Sequence, residues 1–128
     1  MDIYNARYIS LGTYRKSGAV VNTPVWAAFA DGALFVFSAG EAGKVKRLRH
    51  SSRAQVAVCD ARGKLLGEWH AARAELITDD RQVQLALQVM REKYGWQMWL
   101  ADVGARLTGR FERRAYIRVA LTEQDAQH

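Results

Sequence analysis

The sequence predicts a mainly β domain, a small closed or partly closed antiparallel barrel of about six strands with one or two helices. Short runs rich in Val and aromatic residues recur along the chain, and glycine-containing turns separate them. One stretch, after residue 79, has the apolar spacing of a long helix. The 128 residues are 49% hydrophobic, so we expect residues 1–128 to form a single domain with one sizeable core.

The predicted strands begin with a meander in the first 38 residues. Its turns lie at residues 15–18 and at Asp31-Gly32, a strong hairpin signal. Pro24 has no amide hydrogen, which predicts a sheet edge, a bulge or a bend that faces a ligand. The six predicted strands cover residues 8–13, 19–30, 33–38, 54–59, 66–77 and 114–121.

Helices are predicted in two places. Residues 44–51 form a short basic helix whose apolar stripe consists of Val45 and Leu48. Asp79 or Asp80 caps a long helix through Tyr94, with a second helix over 96–109. Residues 123–128 are polar, and we expect them to fray.

Composition and charge exclude several classes of protein. The single cysteine, Cys59, excludes a disulfide framework and reads as a buried strand residue. We find neither a signal peptide nor an apolar stretch of membrane-spanning length, so we expect a cytoplasmic protein with no membrane partner. The three histidines are scattered, so we predict no metal site, and catalytic side chains stay unassigned. A net charge of +6 favours anionic partners.

Residues 38–49 predict a phosphate site. They run from a strand through a loop with Gly40 and Gly43, which let a ligand approach the backbone, to the start of the basic helix. Lys44 in the first helical turn opposes the helix dipole unless an anion joins it. The spacing is not that of a Walker motif. Alternatively, Lys46, Arg47 and Arg49 are a solvated helix face.

Two aromatic groups are candidates for a ligand wall. Pro24 and Trp26 could flank a planar ring whose heteroatoms Thr23 and the neighbouring backbone reach; alternatively, Trp26 belongs to the core. The second group covers a pocket or a partner surface, or else forms a satellite of the core. It consists of Tyr94, Trp96 and Trp99.

Nearly the whole chain resembles the pyridoxamine-5′-phosphate-oxidase-like split-barrel flavoproteins, with the deazaflavin (coenzyme F-420) dependent branch most similar. The motifs that carry the resemblance are TPVW at 23–26, a strand ending in FS at 37–38, GKVKRLR at 43–49, SSRAQV at 51–56, REKYGWQMWL at 91–100 and RRAYIRV at 113–119. The resemblance implies a homodimeric split barrel of the FMN-binding type, with FMN or F-420 at the dimer interface. The residues it implies for cofactor binding are Thr23, Pro24, Val25 and Trp26 along the ring, Phe37 and Ser38 at the ring or the ribityl phosphate, Ala42, Gly43 and Lys44 in the phosphate loop, and Arg49 beside it.

The chain departs from true pyridoxamine-phosphate oxidases at several positions. Those enzymes have Arg, Lys and Arg where this chain has Asn22, Ala27 and Gly43, and their C-terminal Arg/His motif has no counterpart in RAYIRVALTEQ. We therefore do not predict oxidation of vitamin B6. The resemblance implies an oxidoreductase that passes a hydride to or from a small molecule; a non-catalytic flavin carrier is the alternative. A nucleic-acid partner is not predicted, because the basic residues cluster at one helix start.

Overall fold

Seven antiparallel strands form one curled sheet in the computed structural model, which describes residues 2–122. The order in the sheet is β2-β1-β5-β6-β7-β4-β3. The strands are β1 Tyr8–Tyr14, β2 Val20–Val25, β3 Ala28–Ala30, β4 Ala33–Ala39, β5 Arg53–Cys59, β6 His70–Ile77 and β7 Arg114–Leu121. The helices are α1 Gly43–Leu48, α2 Asp80–Tyr94 and α3 Trp96–Leu107, with a 3₁₀ turn at Phe111–Arg113.

Two strands that follow one another in the chain, β2 and β3, lie at opposite edges of the sheet. β2 pairs with β1, whereas β3 pairs with β4. Only Trp26 and Ala27 separate them, and three residue steps span at most about 11 Å. The two edges must therefore meet at these residues, which we call the seam, and the sheet is curled into a half-barrel.

The predicted meander is wrong, and so is the single strand over 19–30. β2 pairs with β1 and β3 pairs with β4, but β2 and β3 lie at opposite edges of the sheet, so the first four strands form two separate hairpins and not one continuous ladder. The strand predicted over 66–77 begins only at His70; Leu65 forms an isolated bridge with Cys59 before it. The division of the predicted second strand brings the total to seven rather than six.

Several local predictions are confirmed. Pro24 lies on an edge strand, where its missing amide hydrogen leaves no gap in the interior of the sheet. Asp31 and Gly32 have positive φ angles of 49° and 78°, as a two-residue type I′ hairpin requires. Asp79 caps α2 by accepting a hydrogen bond from the Gln82 amide at 3.2 Å. The prediction for residues 123–128 lies outside the described residues.

Two apolar clusters hold the fold together. The first fills the half-barrel and includes Ile9, Leu11 and Ile117, all fully buried. The second packs the outer face of β4 against α2 and α3, with Phe35 and Met90 at its centre. β4 is therefore covered on both faces, which explains why its sequence is continuously apolar rather than alternating.

Cys59 is buried as predicted, and desolvation, followed by the nearby charge of Asp60, raises the pKa of its thiol. Within residues 2–122, no helix combines the length and apolarity needed to cross a bilayer. The same part of the chain holds no cluster of three or more potential metal-ligating side chains of the His, Cys, Asp or Glu type.

Candidate functional site

A cleft of about 410 Å³ lies beside the seam, and most of the predicted site residues line it. We call it the seam cleft. Of the predicted residues, Thr23, Gly43 and Arg49 are not among those that line it. The lining residues are Pro24, Val25, Trp26, Phe37, Ser38, Ala39, Ala42, Lys44 and Ala101. Strands β2 and β4, the loop before α1, and α3 thus meet at one place.

Aromatic rings form one part of the cleft wall. Trp26 is half-buried and makes an edge contact with Phe37, with ring centroids 6.4 Å apart at 71°. Trp26 also stacks on Tyr94, with centroids 4.6 Å apart and planes within 10° of parallel. The two interpretations of Trp26 are therefore both partly realised, because the side chain lines the cleft and also packs into the second apolar cluster.

The end of α2 fixes the seam in place. The Tyr94 hydroxyl accepts a hydrogen bond from the Ala27 amide at 2.9 Å and lies 2.8 Å from the Arg7 carbonyl oxygen, to which it can donate. Lys93 donates to the carbonyl oxygens of Ala6 and Ala27, each at 2.6 Å. Burial raises the pKa of Tyr94 to about 12, so the hydroxyl stays protonated at neutral pH. These hydrogen bonds satisfy backbone amide and carbonyl groups at the point where strand pairing stops.

Lys44 is a half-buried cation in the first turn of α1. Desolvation, with the nearby charge of Arg47 as a second cause, lowers the pKa of its ammonium group. No carboxylate within residues 2–122 forms an ion pair with it. In the same part of the chain, the amides of Gly43 and Lys44 donate no hydrogen bond, and α1 has neither a capping side chain nor an acidic first turn. A cation and two amide donors therefore face the same loop without an anionic partner in the described chain.

Arg47 lies against β1, not in a fully solvated helix face. Its Nε donates to the Oγ1 of Thr13 at 2.6 Å, and Thr13 is fully buried. A Cβ atom on Gly43 would lie 2.8 Å from a guanidinium nitrogen of Arg47, so a larger residue there would displace that side chain. Arg49 lies at the exposed end of α1, and its predicted role at the phosphate stays a prediction. The i, i+4 spacing of Gly43 and Arg47 is the feature of the sequence that could have predicted this contact, because residues four apart are neighbours on a helix.

Comparison with known proteins finds structures of the same fold but no relative in sequence. No family model matches the chain, and no curated protein matches it. Among solved structures, HutZ, the heme storage protein of Vibrio cholerae, superposes with a TM-score of 0.68 at 11% identity, over 91% of this chain and 82% of its own. An FAD-binding protein from Mesorhizobium loti gives 0.59 at 18% identity, over 93% and 82%. A protein named as a pyridoxamine 5′-phosphate oxidase from Corynebacterium glutamicum gives 0.60 at 12% identity, over 94% and 79%.

These structures are split-barrel proteins of the pyridoxamine-phosphate-oxidase-like type. This chain is a split barrel. At such low identity the likeness establishes the fold and leaves the ligand to be argued from the site.

One buried ion-pair network of the split barrel supports the cleft and was missed by the sequence analysis. The Arg114 guanidinium lies 4.4 Å from the centre of the Phe37 ring, with its side chain only 6% exposed. Asp102 accepts hydrogen bonds from Arg114 at 2.8 Å and from Arg91 at 3.0 Å. A carboxylate on α3 thus holds an arginine of β7 against a ring that lines the cleft. No spacing in the sequence links residues 37, 102 and 114.

Proposed function

We propose that this split barrel binds FMN or the deazaflavin coenzyme F-420 in the seam cleft and transfers a hydride to or from a small molecule. The observation that carries the proposal is the joint presence, in one cleft, of an aromatic wall and of Lys44, which has no ion-pair partner within residues 2–122. The amides of Lys44 and of its neighbour Gly43 donate no hydrogen bond in the same part of the chain. A flavin-type cofactor has the matching parts, a flat tricyclic ring and a phosphate. Among the similar structures, one is named as FAD-binding and another as a pyridoxamine-phosphate oxidase, which supports a ligand of this class.

The residues present fit both parts of such a group. Trp26 and Phe37 offer apolar ring surface, and the backbone of β2 beyond Val25 leaves the ladder at the point where the cleft opens. The Lys44 ammonium group and the amides of Gly43 and Lys44 would hold the phosphate through charge-assisted hydrogen bonds. Anion binding would also relieve the unfavourable burial of the Lys44 charge.

When bound, the cofactor would supply the redox chemistry, because hydride transfer is a property of its ring system. The chain's own residues then orient the ring and exclude water from one of its sides. The lining side chains include none of the types His, Asp, Glu or Cys, and Ser38 donates to the carbonyl oxygen of Ala39 at 3.3 Å. Proton delivery by a lining side chain therefore forms no part of the proposal.

We also propose a homodimer, in line with the expectation from the resemblance. The outer face of α3 carries large apolar side chains in contact with solvent, at spacings that place them along one side of the helix. They are Trp96 (70% exposed), Trp99 (63%), Leu100 (51%) and Leu107 (83%). Ala101, on another side of the same helix, lines the seam cleft, so a second subunit packed against α3 would lie near the cofactor. The cytoplasmic location expected from the sequence belongs to the proposal as well.

Titration of the purified full chain with FMN and with F-420 tests the proposal, with quenching of the four tryptophans as the signal. We expect saturable binding of at least one cofactor, competed by inorganic phosphate. If neither cofactor binds at concentrations up to the millimolar range, the proposal is wrong. The alternative, a non-catalytic carrier, is distinguished by reducing the bound cofactor and adding a panel of quinones, enones and nitroaromatics. A carrier transfers hydride no faster than the free cofactor does.

A further inference from the structure

A second cleft lies on the other side of the loop that precedes α1. Its volume is about 260 Å³, and we call it the arginine cleft. Its lining residues are Ala39, Gly40, Glu41, Ala42, Arg110 and Arg113. Ala39 and Ala42 line the seam cleft as well, so the two clefts meet at the loop where the proposed phosphate site begins.

Close backbone packing sets the position of the two arginines. A Cβ atom on Gly40 would clash with the carbonyl oxygen of Arg113, so the 3₁₀ turn and the loop are in main-chain contact. The Arg110 amide donates to the Ala105 carbonyl at 2.8 Å, and the Arg113 amide donates to the Arg110 carbonyl at 3.1 Å. Both arginines are therefore carried on backbone that is fixed relative to the loop.

The arginine cleft has an excess of positive charge. Two arginines and one acidic residue, Glu41, are among the residues that line it. Neither Arg110 nor Arg113 forms an ion pair within the described part of the chain, whereas Arg91 and Arg114 are both paired with Asp102. An alternative role for Arg110 and Arg113 is to offset the dipole of α3, since cations near a helix C-terminus are favourable. Arg106 already fills that role, because it lies in the last turn of α3, with its guanidinium 4.4 Å from the centre of the Phe111 ring.

We propose that Arg110 and Arg113 bind a second anionic group, carried by the cofactor beyond its phosphate. An extension attached at the phosphate would leave the seam cleft past Ala39 and Ala42 and enter the arginine cleft directly. The group would be a phosphate or a carboxylate, both of which match the planar guanidinium fork. This inference rests on the proposed function and adds that the site selects cofactors with an anionic extension over FMN.

Affinity measurements with three cofactors test the inference. FMN ends at its phosphate, FAD carries a second phosphate, and F-420 carries a polyanionic tail. The variants are Arg110→Gln and Arg113→Gln, and the control is Arg81→Gln. Arg81 is an exposed arginine in the first turn of α2, about 20 Å along the helix from Tyr94. The Kd of each cofactor and the melting temperature are measured for the wild type and for every variant.

We expect each cleft variant to weaken the binding of F-420, FAD or both by about tenfold, the equivalent of one charge-assisted hydrogen bond. The Kd of FMN should change by less than about twofold, and the Arg81→Gln values should match the wild type. Loss confined to FAD identifies a phosphate as the second group, and loss confined to F-420 identifies carboxylates. Equal losses for FMN and the extended cofactors, or no loss for either extended cofactor, would overturn the inference while leaving the proposed function standing. Failure of all three cofactors to bind the wild type would refute both the proposed function and this inference.

Discussion

Replacing Lys44 by Met should weaken cofactor binding and at the same time stabilise the protein without ligand. The side chain is half-buried, unpaired within residues 2–122 and beside Arg47, and burial lowers the pKa of its ammonium group. The folded protein without ligand thus bears an unfavourable charge at this position. Methionine keeps a similar length and removes that charge.

The expected loss of affinity follows from the bond that disappears. A hydrogen bond between an ammonium group and a phosphate contributes about 1.5–3 kcal/mol, so the Kd should rise about ten- to a hundredfold. The amides of Gly43 and Lys44 remain, which is why binding should weaken and not vanish. Lys46→Met is the matched control, because Lys46 lies on the same helix with an exposed side chain. It should leave the Kd unchanged within about twofold.

Calorimetric titration gives the affinity, and urea unfolding without ligand gives the stability. A Kd for Lys44→Met equal to that of the wild type would remove Lys44 from the site. A lower urea midpoint for Lys44→Met than for the wild type would refute the argument that its charge is unfavourably buried. The two measurements test separate steps of the reasoning, because the first concerns the ligand and the second concerns the empty site.

The pH dependence has a definite sign. Since the folded pKa of Lys44 lies below its ordinary value of 10.5, the unfolded chain binds more protons between the two values, and stability rises with pH there. The stability advantage of Lys44→Met should therefore be largest at neutral pH and disappear as the pH rises towards 10.5. Cofactor affinity of the wild type should fall over the same alkaline window, because only the charged lysine attracts the phosphate. A flat affinity profile up to pH 10.5 would contradict this assignment.

Three further substitutions and one measurement test the packing around the cleft. Trp26→Leu should weaken cofactor binding and lower the free energy of unfolding by about 1 kcal/mol through the lost stacking, as titration and urea unfolding would report. Tyr94→Phe leaves the buried Ala27 amide without its partner and should cost about 1–3 kcal/mol in the same unfolding assay; an unchanged midpoint would contradict the role of Tyr94 at the seam. Asp102→Asn leaves the buried Arg114 charge unneutralised and should cost about 3 kcal/mol, measured against the milder loss of the half-exposed partner in Arg91→Gln. Sedimentation at micromolar concentration should give the mass of a dimer, and a monomer would contradict the proposed assembly.

Local backbone preferences made the turns, the helix cap and the edge strand predictable from the sequence. The pairing of the strands could not be predicted in the same way. Asp31-Gly32, Asp79 and Pro24 each specify a turn, a cap or an edge through their own backbone preferences. The division of residues 19–30 between two edges depends on bonds from Lys93 and Tyr94, which are more than sixty positions away in the chain. The alternation of side chains through Trp26 in the sequence does not indicate that Lys93 and Tyr94 bind the backbone there.

The candidate site divides in the same way. Phe37, Ser38, Ala42 and Lys44 are close in sequence, so one strand, one loop and one helix start bring them together without help from distant contacts. Ala101 comes to the cleft through the packing of α3, and Arg114 through the pairing of β7 with β4. Their side chains have no motif around them, and only the assembled barrel makes them neighbours of the cleft.

The seam also limits how a protein of this design can diverge. The two-residue link of Trp26 and Ala27 joins the two edges of the curled sheet, and Trp26 also lines the cleft. An insertion or a larger side chain there would therefore alter the shape of the sheet together with the ligand site. Selectivity is easier to retune from surfaces that do not close the sheet, namely the 39–42 loop, the turn at Phe111–Arg113 and the exposed face of α3. A barrel of this design can therefore change its ligand by remodelling this rim while the two-residue link keeps its length.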